Sequence, residues 1–363
     1  MRLPENNDDH SGLTPAVISA IAVVTLFVAA VLVVVLLLNG GALARGSSRP
    51  SHVETGQSSP IINGAEDTGE TVGKLHPEDL DFWNMYPEPT EEPGPEPEAD
   101  SRETSENDPA TDGKHTLVEY ADGSQEWVLI SPYLPKQEYD FTRLVCQSNL
   151  MKYYENGKKT SYVGADISEA QGYIDFVKVK KAGIDFCMLR VGARGYGTGQ
   201  LILDDYFCEN LKRASDAGLE TGVYFFSQAV SEEEAVEEAN MVLEQLGETR
   251  IGYPVAFDME LITKDAARTD GMSRSDKTAV AKAFLDTVAA AGQKAVLYGN
   301  KEWLIKEIDL SKLTAYDVWL SQPGDIPDYP YRFTMWQYTM EGVVDGIAGR
   351  VGLNISFIDY SEK

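Results

Sequence analysis

From Tyr162 to Tyr298 the sequence alternates short apolar runs of strand character with stretches of helical period, and no other feature constrains the fold as strongly. Val163–Ile167, Asp185–Val191, Glu220–Phe226, Tyr253–Glu260 and Lys294–Tyr298 read as strands. Between them Ile174–Lys181, Asp205–Ala217, a long stretch opening at Ser231 and Ser273–Ala291 read as helices, with Gly183, Gly218 and Gly292 as stop signals. Glu232, Glu233 and Glu234 complement the amino end of the third. Such alternation implies parallel strands joined by helical crossovers. Val318–Ser321, Phe333–Tyr338 and Ile355–Ile358 follow as strands without helices between them. The pattern predicts an α/β fold over residues 161–363, an irregular TIM-like β/α barrel of about eight strands, rather than a doubly wound sheet. No glycine-rich phosphate loop follows the first strand, which argues against a nucleotide site.

Ahead of the barrel, residues 116–160 read as a small β extension. Thr116–Tyr120 and Glu126–Ile130 flank the turn Asp122-Gly123, and Met151–Tyr154 runs into Asn156-Gly157. Residues 39–115 lose hydrophobic periodicity and become rich in Pro and Glu, the composition of a disordered acidic stalk. Within it, Leu80–Tyr86 is an aromatic island. Residues 14–38 are expected to form a transmembrane helix: Ala16–Leu38 carries no charge, and about 23 residues at 1.5 Å rise span roughly 34 Å. A cleaved signal peptide is the competing reading, because Ala42-Leu43-Ala44 resembles a processing site. Its apolar region should be shorter and its leading segment more basic, so an uncleaved anchor with residues 1–13 on the cytoplasmic side is the expectation. Arg45 and Arg49 after the helix, against Arg2 before it, give a weak vote for the opposite orientation.

The net charge of −27 and the lack of a basic run exclude nucleic acid as a natural partner. All 4 histidines precede Thr116, which removes histidine triads and histidine zinc sites from the barrel. The 3 cysteines, Cys146, Cys187 and Cys208, have no metal-type spacing. No metal and no cofactor are expected.

What remains is carboxylate chemistry. The run Tyr253–Phe257 ends in Asp258-Met259-Glu260. On a strand, residues two apart share a face and stand roughly 6–7 Å apart, which sets both carboxyl groups beside one small substrate. Glycosidic cleavage needs such a pair: an acid for the leaving oxygen and a charge to steady the positive sugar centre. The bland alternative is a chance Asp-x-Glu on a solvated strand end. In a parallel barrel, however, the active site lies at the carboxyl ends of the strands. There Asp166, Arg190, Tyr224, Phe226, Tyr298, Trp319, Trp336 and Gln337 are expected to converge with the pair, the aromatics to stack on sugar rings and the polar groups to bind hydroxyls and acetamido groups. Core packing is the alternative for each aromatic taken singly.

These residues fall into a known order. Gly164-Ala165-Asp166-Ile167-Ser168, Phe186–Arg190, Asp205-Tyr206-Phe207, Gly222–Phe226, Phe257–Glu260, Leu297-Tyr298 and Trp336-Gln337-Tyr338 together resemble glycoside hydrolase family 25, the lysozymes or N-acetylmuramidases. The resemblance implies a β/α barrel that hydrolyses the β-1,4 bond between N-acetylmuramic acid and N-acetylglucosamine in peptidoglycan. It implies Glu260 as proton donor, Asp258 as the group that supports attack by the substrate's own acetamido oxygen, and Asp166 as keeper of the hydrogen-bond network. Asn354 joins the expected substrate-binding residues. A peptidoglycan substrate would place the barrel outside a bacterial cell membrane, against the vote of the arginines. Two positions depart from the family pattern: Phe225 replaces a frequent His, and Gly352 stands where an active-site Asp is usual, two residues before Asn354. A catalytically weakened glycan-binding module is therefore an alternative. A chitinase-like hydrolase is another, although Ala256 and Pro254 occupy positions where its ladder of aspartates would fall.

Overall fold

The structure, a computed structural model, describes residues 108–362. The expected membrane span at 14–38 and most of the stalk lie outside the described residues. Among the described residues no helix is long and apolar enough to cross a membrane. The described chain begins in a hydrogen-bonded turn, with Thr111 N and Asp112 N both donating to the Asp108 carbonyl. Residues 108–115, expected in the stalk, thus already carry local structure.

The extension is two hairpin systems. β1 (His115–Glu119) pairs antiparallel with β2 (Gln125–Leu129) around Gly123, whose positive φ of 80° suits glycine. β3 (Leu144–Gln147), β4 (Leu150–Glu155) and β5 (Lys158–Lys159) form a second sheet. Its turns, Ser148-Asn149 and Asn156-Gly157, have positive φ at both positions, the twist that a two-residue hairpin loop requires. β3 was not anticipated, because its turn lacks a glycine.

Eight strands close a barrel. They are β6 (Tyr162–Ile167), β7 (Phe186–Arg194), β9 (Glu220–Phe226), β10 (Val255–Asp258), β11 (Ala295–Asn300), β12 (Asp317–Ser321), β13 (Met335–Gly342) and β14 (Val351–Ser356). A short β8 (Leu201–Leu203) folds back antiparallel on the end of β7. Neighbours pair in parallel from β6 to β13, whereas β14 runs antiparallel to both β13 and β6 and completes the ring.

Four helices cover the early strands: α1 (Phe176–Lys181), α2 (Phe207–Asp216), α3 (Glu232–Leu246) and α4 (Arg274–Ala290). Their starts follow the sequence signals. Asp175, Ser231 and Ser273 each accept a hydrogen bond from a first-turn amide, and Ser273 and Asp276 form a reciprocal capping box. The late strands lack such cover, and the extension supplies it. Tyr139 stacks on Phe357 at 4.0 Å and donates from its hydroxyl to the Phe333 carbonyl at 2.9 Å. The Tyr338 hydroxyl donates to the Asn149 carbonyl. The extension is therefore the outer layer of the barrel where helices are missing, an instance of a sheet face that must be buried by something.

Strand alternation divides the core in two. Phe186, Met188, Tyr224, Tyr298, Trp319 and Met335 fill the barrel, while residues of opposite parity face the helices or the extension. At the floor, Gly164 leaves room for the Phe186 ring, which a Cβ there would approach to 2.2 Å.

The end of β7 is pinned by a buried ion-pair network. Arg194 Nε donates to Glu238 Oε1 at 2.8 Å, and its Nη2 donates to Glu237 and to the Glu234 carbonyl. Burial pushes the Glu238 carboxyl up to about 7, against the pull of Arg194 and Ser227. Because the folded value exceeds the unfolded one, this group's contribution to stability is full below pH ~4.5 and is lost as pH rises through about 7. Glu238→Gln is expected to remove that component, of the order of 3 kcal/mol, from the pH dependence of thermal unfolding. An unchanged slope between pH 4.5 and 7.5 would count against the assignment.

Candidate active site

Asp258 is the last residue of β10, in register with Phe226 on one side and Tyr298 on the other. The sequence expectation that the strand continues through Glu260 is corrected: pairing stops at Asp258, so strand parity does not bring the two acids together. Backbone hydrogen bonds do so instead. Ser227 N donates to the Asp258 carbonyl at 2.6 Å, and the fully buried Gln228 donates from Nε2 to the Glu260 carbonyl at 3.3 Å. Thr269 Oγ1 donates to Gln228 Oε1 at 3.0 Å, which fixes which end of that amide faces Glu260. Met259 is buried between the acids, Glu260 is half-buried and Asp258 is buried.

The Glu260 carboxyl group lies close enough to Asp258 to act on it through both its charge and a side-chain hydrogen bond. Burial, and then the nearby Glu260 charge, hold Asp258 well above the usual carboxylate range, while Arg190 pulls the other way. A hydrogen bond between two carboxyl groups requires a proton between them. The pair therefore keeps a transferable proton at a pH where isolated acids have lost theirs.

Asp166, on β6, is the third acid. Its Oδ2 accepts from Gln337 Nε2 at 2.9 Å and from Asn354 Nδ2 at 2.8 Å. Burial raises its pKa, and these two bonds oppose the rise. Both amides are oriented from behind. Gln337 Oε1 accepts from the Tyr298 hydroxyl at 3.0 Å and from Ser321 Oγ at 2.7 Å, and Asn354 Oδ1 accepts from Trp319 Nε1 at 2.8 Å. Tyr298, Trp319, Gln337 and Asn354, expected to touch substrate, are all buried and commit these polar atoms to holding Asp166. Tyr224 adds an edge-on ring contact with Trp319 at 6.2 Å.

Arg190, another of the expected substrate contacts, lies deep in the mouth. It is buried, donates from Nε to Asp204 Oδ2 at 2.9 Å, and lies 3.5 Å from Glu169 Oε1. Asp204 and Glu169 were missed by the sequence reading, although Asp204 directly precedes the singled-out Asp205-Tyr206-Phe207. Just after Arg190 the β7–β9 register slips by one residue, a bulge that re-aims the end of β7. Phe226 packs above it with Ala193 and Ile262.

Trp336 does not join the site. Gln337 faces the barrel interior, so its neighbour Trp336 must face out, where it lies edge-on to Tyr338 and donates to the Gln322 carbonyl. Phe225 likewise faces the helix layer, and its departure from the family pattern leaves the mouth untouched. Gly352 is the cross-strand partner of Asp166. The mouth thus gathers Asp166, Asp258 and Glu260 beside Arg190, which is itself paired with Asp204 and Glu169.

A sequence model described as glycosyl hydrolases family 25 matches residues 165–347. The chain is 25% identical over 197 residues to the uncharacterized protein YegX of Escherichia coli strain K12, covering 53% of this chain and 68% of that one. It is 22% identical over 192 residues to an autolytic lysozyme of Clostridium acetobutylicum, covering 53% of this chain and 54% of the relative. Among solved structures, the modular autolysin LytC from Streptococcus pneumoniae is similar with a TM-score of 0.49 and 20% identity, over 67% of this chain and 56% of that chain. The chain spans little more than half the length of these last two proteins.

Proposed function

The chain belongs to glycosyl hydrolases family 25, and from that membership we propose that it hydrolyses peptidoglycan at the β-1,4 bond between N-acetylmuramic acid and N-acetylglucosamine. The observation that carries the proposal is the gathering of three carboxyl groups: buried Asp258 at the end of β10, half-buried Glu260 just beyond it, and Asp166 clamped by Gln337 and Asn354. Glu260, the more exposed member, gives its proton to the glycosidic oxygen as the bond to the anomeric carbon breaks. The acetamido oxygen of the same sugar attacks that carbon and forms a cyclic cation. Asp258, left ionised once the proton has gone, steadies the acetamido nitrogen and the growing positive charge. Water then opens the ring, losing a proton to Glu260, so the acid is regenerated and the anomeric configuration is retained.

The alternative is a glycan-binding module without turnover, favoured by Gly352 in place of a usual acid. The two readings separate on insoluble peptidoglycan sacculi. A hydrolase releases soluble sugar fragments in proportion to time, whereas a binding module co-sediments with the wall and releases none. We place the barrel on the outer side of a bacterial membrane, tethered through residues 14–38, because the substrate lies there. Fractionation with protease protection of intact cells tests this: a barrel that resists external protease until the membrane is breached would contradict it.

A further inference from the structure

Across the β6–β14 boundary, Asp166 and Gly352 are register partners. A Cβ built on Gly352 would stand 2.1 Å from Asp166 Oδ2 and 2.6 Å from its Cγ. The Asp166 carboxyl group therefore already fills the space that any side chain at 352 requires. The backbone does not demand glycine: Gly352 lies within β14 and is absent from the positive-φ positions. Nor is its neighbour a mobile tip that can swing aside. Asp166 is 7% exposed, and Gln337 and Asn354 both hold its Oδ2. To yield, it must break both bonds and turn a polar group into the aromatic interior.

We propose that Gly352 is a positioning residue, whose missing side chain lets Asp166 lean across the strand boundary into the place a carboxylate on β14 would take. The site is then not short of an acid at that place. One carboxylate, clamped by amides from β13 and β14, stands where two would compete for the same volume. Gly352 acts through Asp166 and touches no substrate.

This rests on the hydrolase reading only for its activity readout, and a double-mutant cycle in thermal unfolding tests it without that reading. Gly352→Ala is expected to lower Tm by about 5 °C or more, as overpacking does. In an Asp166→Ala background the same substitution is expected to shift Tm by less than about 1 °C, because the obstacle is gone. If Gly352→Ala alone does not fold, recovery of folded protein in the double variant is the same result. In the activity assay Gly352→Ala is expected to lower kcat about tenfold or more with little change in KM, a split that general destabilisation does not produce. Gly352→Asp is expected to fall below the wild type as well. An equal Tm loss in both backgrounds, no recovery in the double variant, or a Gly352→Asp enzyme as active as the wild type would each overturn the proposal. An inactive wild type would instead sink the hydrolase reading, and the Tm cycle would still decide the role of Gly352.

Discussion

Replacing Glu260 with Gln is expected to lower turnover on peptidoglycan by roughly 10²- to 10⁴-fold, the range that a positioned general acid contributes. The amide keeps the size of the side chain but carries no transferable proton. Its backbone is set by Gln228, whose bond goes to the Glu260 carbonyl and not to its side chain, so the substitution leaves that anchor intact. KM is expected to hold while kcat falls, since the proton is needed only as the bond breaks. Thermal unfolding at or above the wild-type midpoint, with turnover lost, is the expected combination, because the charge that opposes ionised Asp258 is gone. A large fall in Tm would mean that Glu260 is a structural residue and that the acid lies elsewhere.

Asp258→Asn is expected to move activity and stability in opposite directions. Turnover should fall by roughly 10²- to 10³-fold, the cost of removing one preorganised electrostatic contact to the reacting centre. Stability should rise at neutral pH, because burial and the Glu260 charge both disfavour the ionised Asp258. The sign follows from the raised folded pKa: any stabilising contribution of this group is present below its unfolded value and fades as pH increases. The Tm gap between Asp258→Asn and the wild type should therefore widen as pH climbs from about 4 toward 8. The same shared proton predicts an alkaline limb in the wild-type rate profile, as the pair loses its donor, and both substitutions should alter that limb. A gap that narrows with pH would contradict the raised pKa of Asp258, and with it the shared proton.

Much of the frame was readable from residue order alone. The helix starts at Ser231 and Ser273 and the glycine stops at Gly218 and Gly292 appear where the capping and turn chemistry put them. The parallel barrel followed from alternation, and Asp258-Met259-Glu260 stood out as a paired acid on its fourth strand. What escaped were consequences of contacts distant in sequence. Glu260 meets Asp258 because Gln228, 32 residues earlier, holds its carbonyl, and no local pattern announces that bond. Four of the expected sugar contacts also support Asp166: Tyr298 bonds to Gln337 and Trp319 to Asn354, and the two amides hold the carboxyl group from strands far apart in sequence. One error was avoidable: adjacent Trp336 and Gln337 could not both face the interior of a period-two strand. Gly352 carried its meaning only once its cross-strand partner was known, because in the sequence it is an absence and in the fold it is occupied space.

If the Asp258–Glu260 pair cleaves on the reducing side of N-acetylmuramic acid, the new chain ends carry that sugar. Digestion of purified peptidoglycan by the full chain, followed by borohydride reduction and mass spectrometry of the new ends, tests it most directly. Reduced N-acetylmuramic acid ends are expected to accumulate with the wild type and to vanish with Glu260→Gln. Reduced N-acetylglucosamine ends, or ends that persist undiminished in Glu260→Gln, would contradict it.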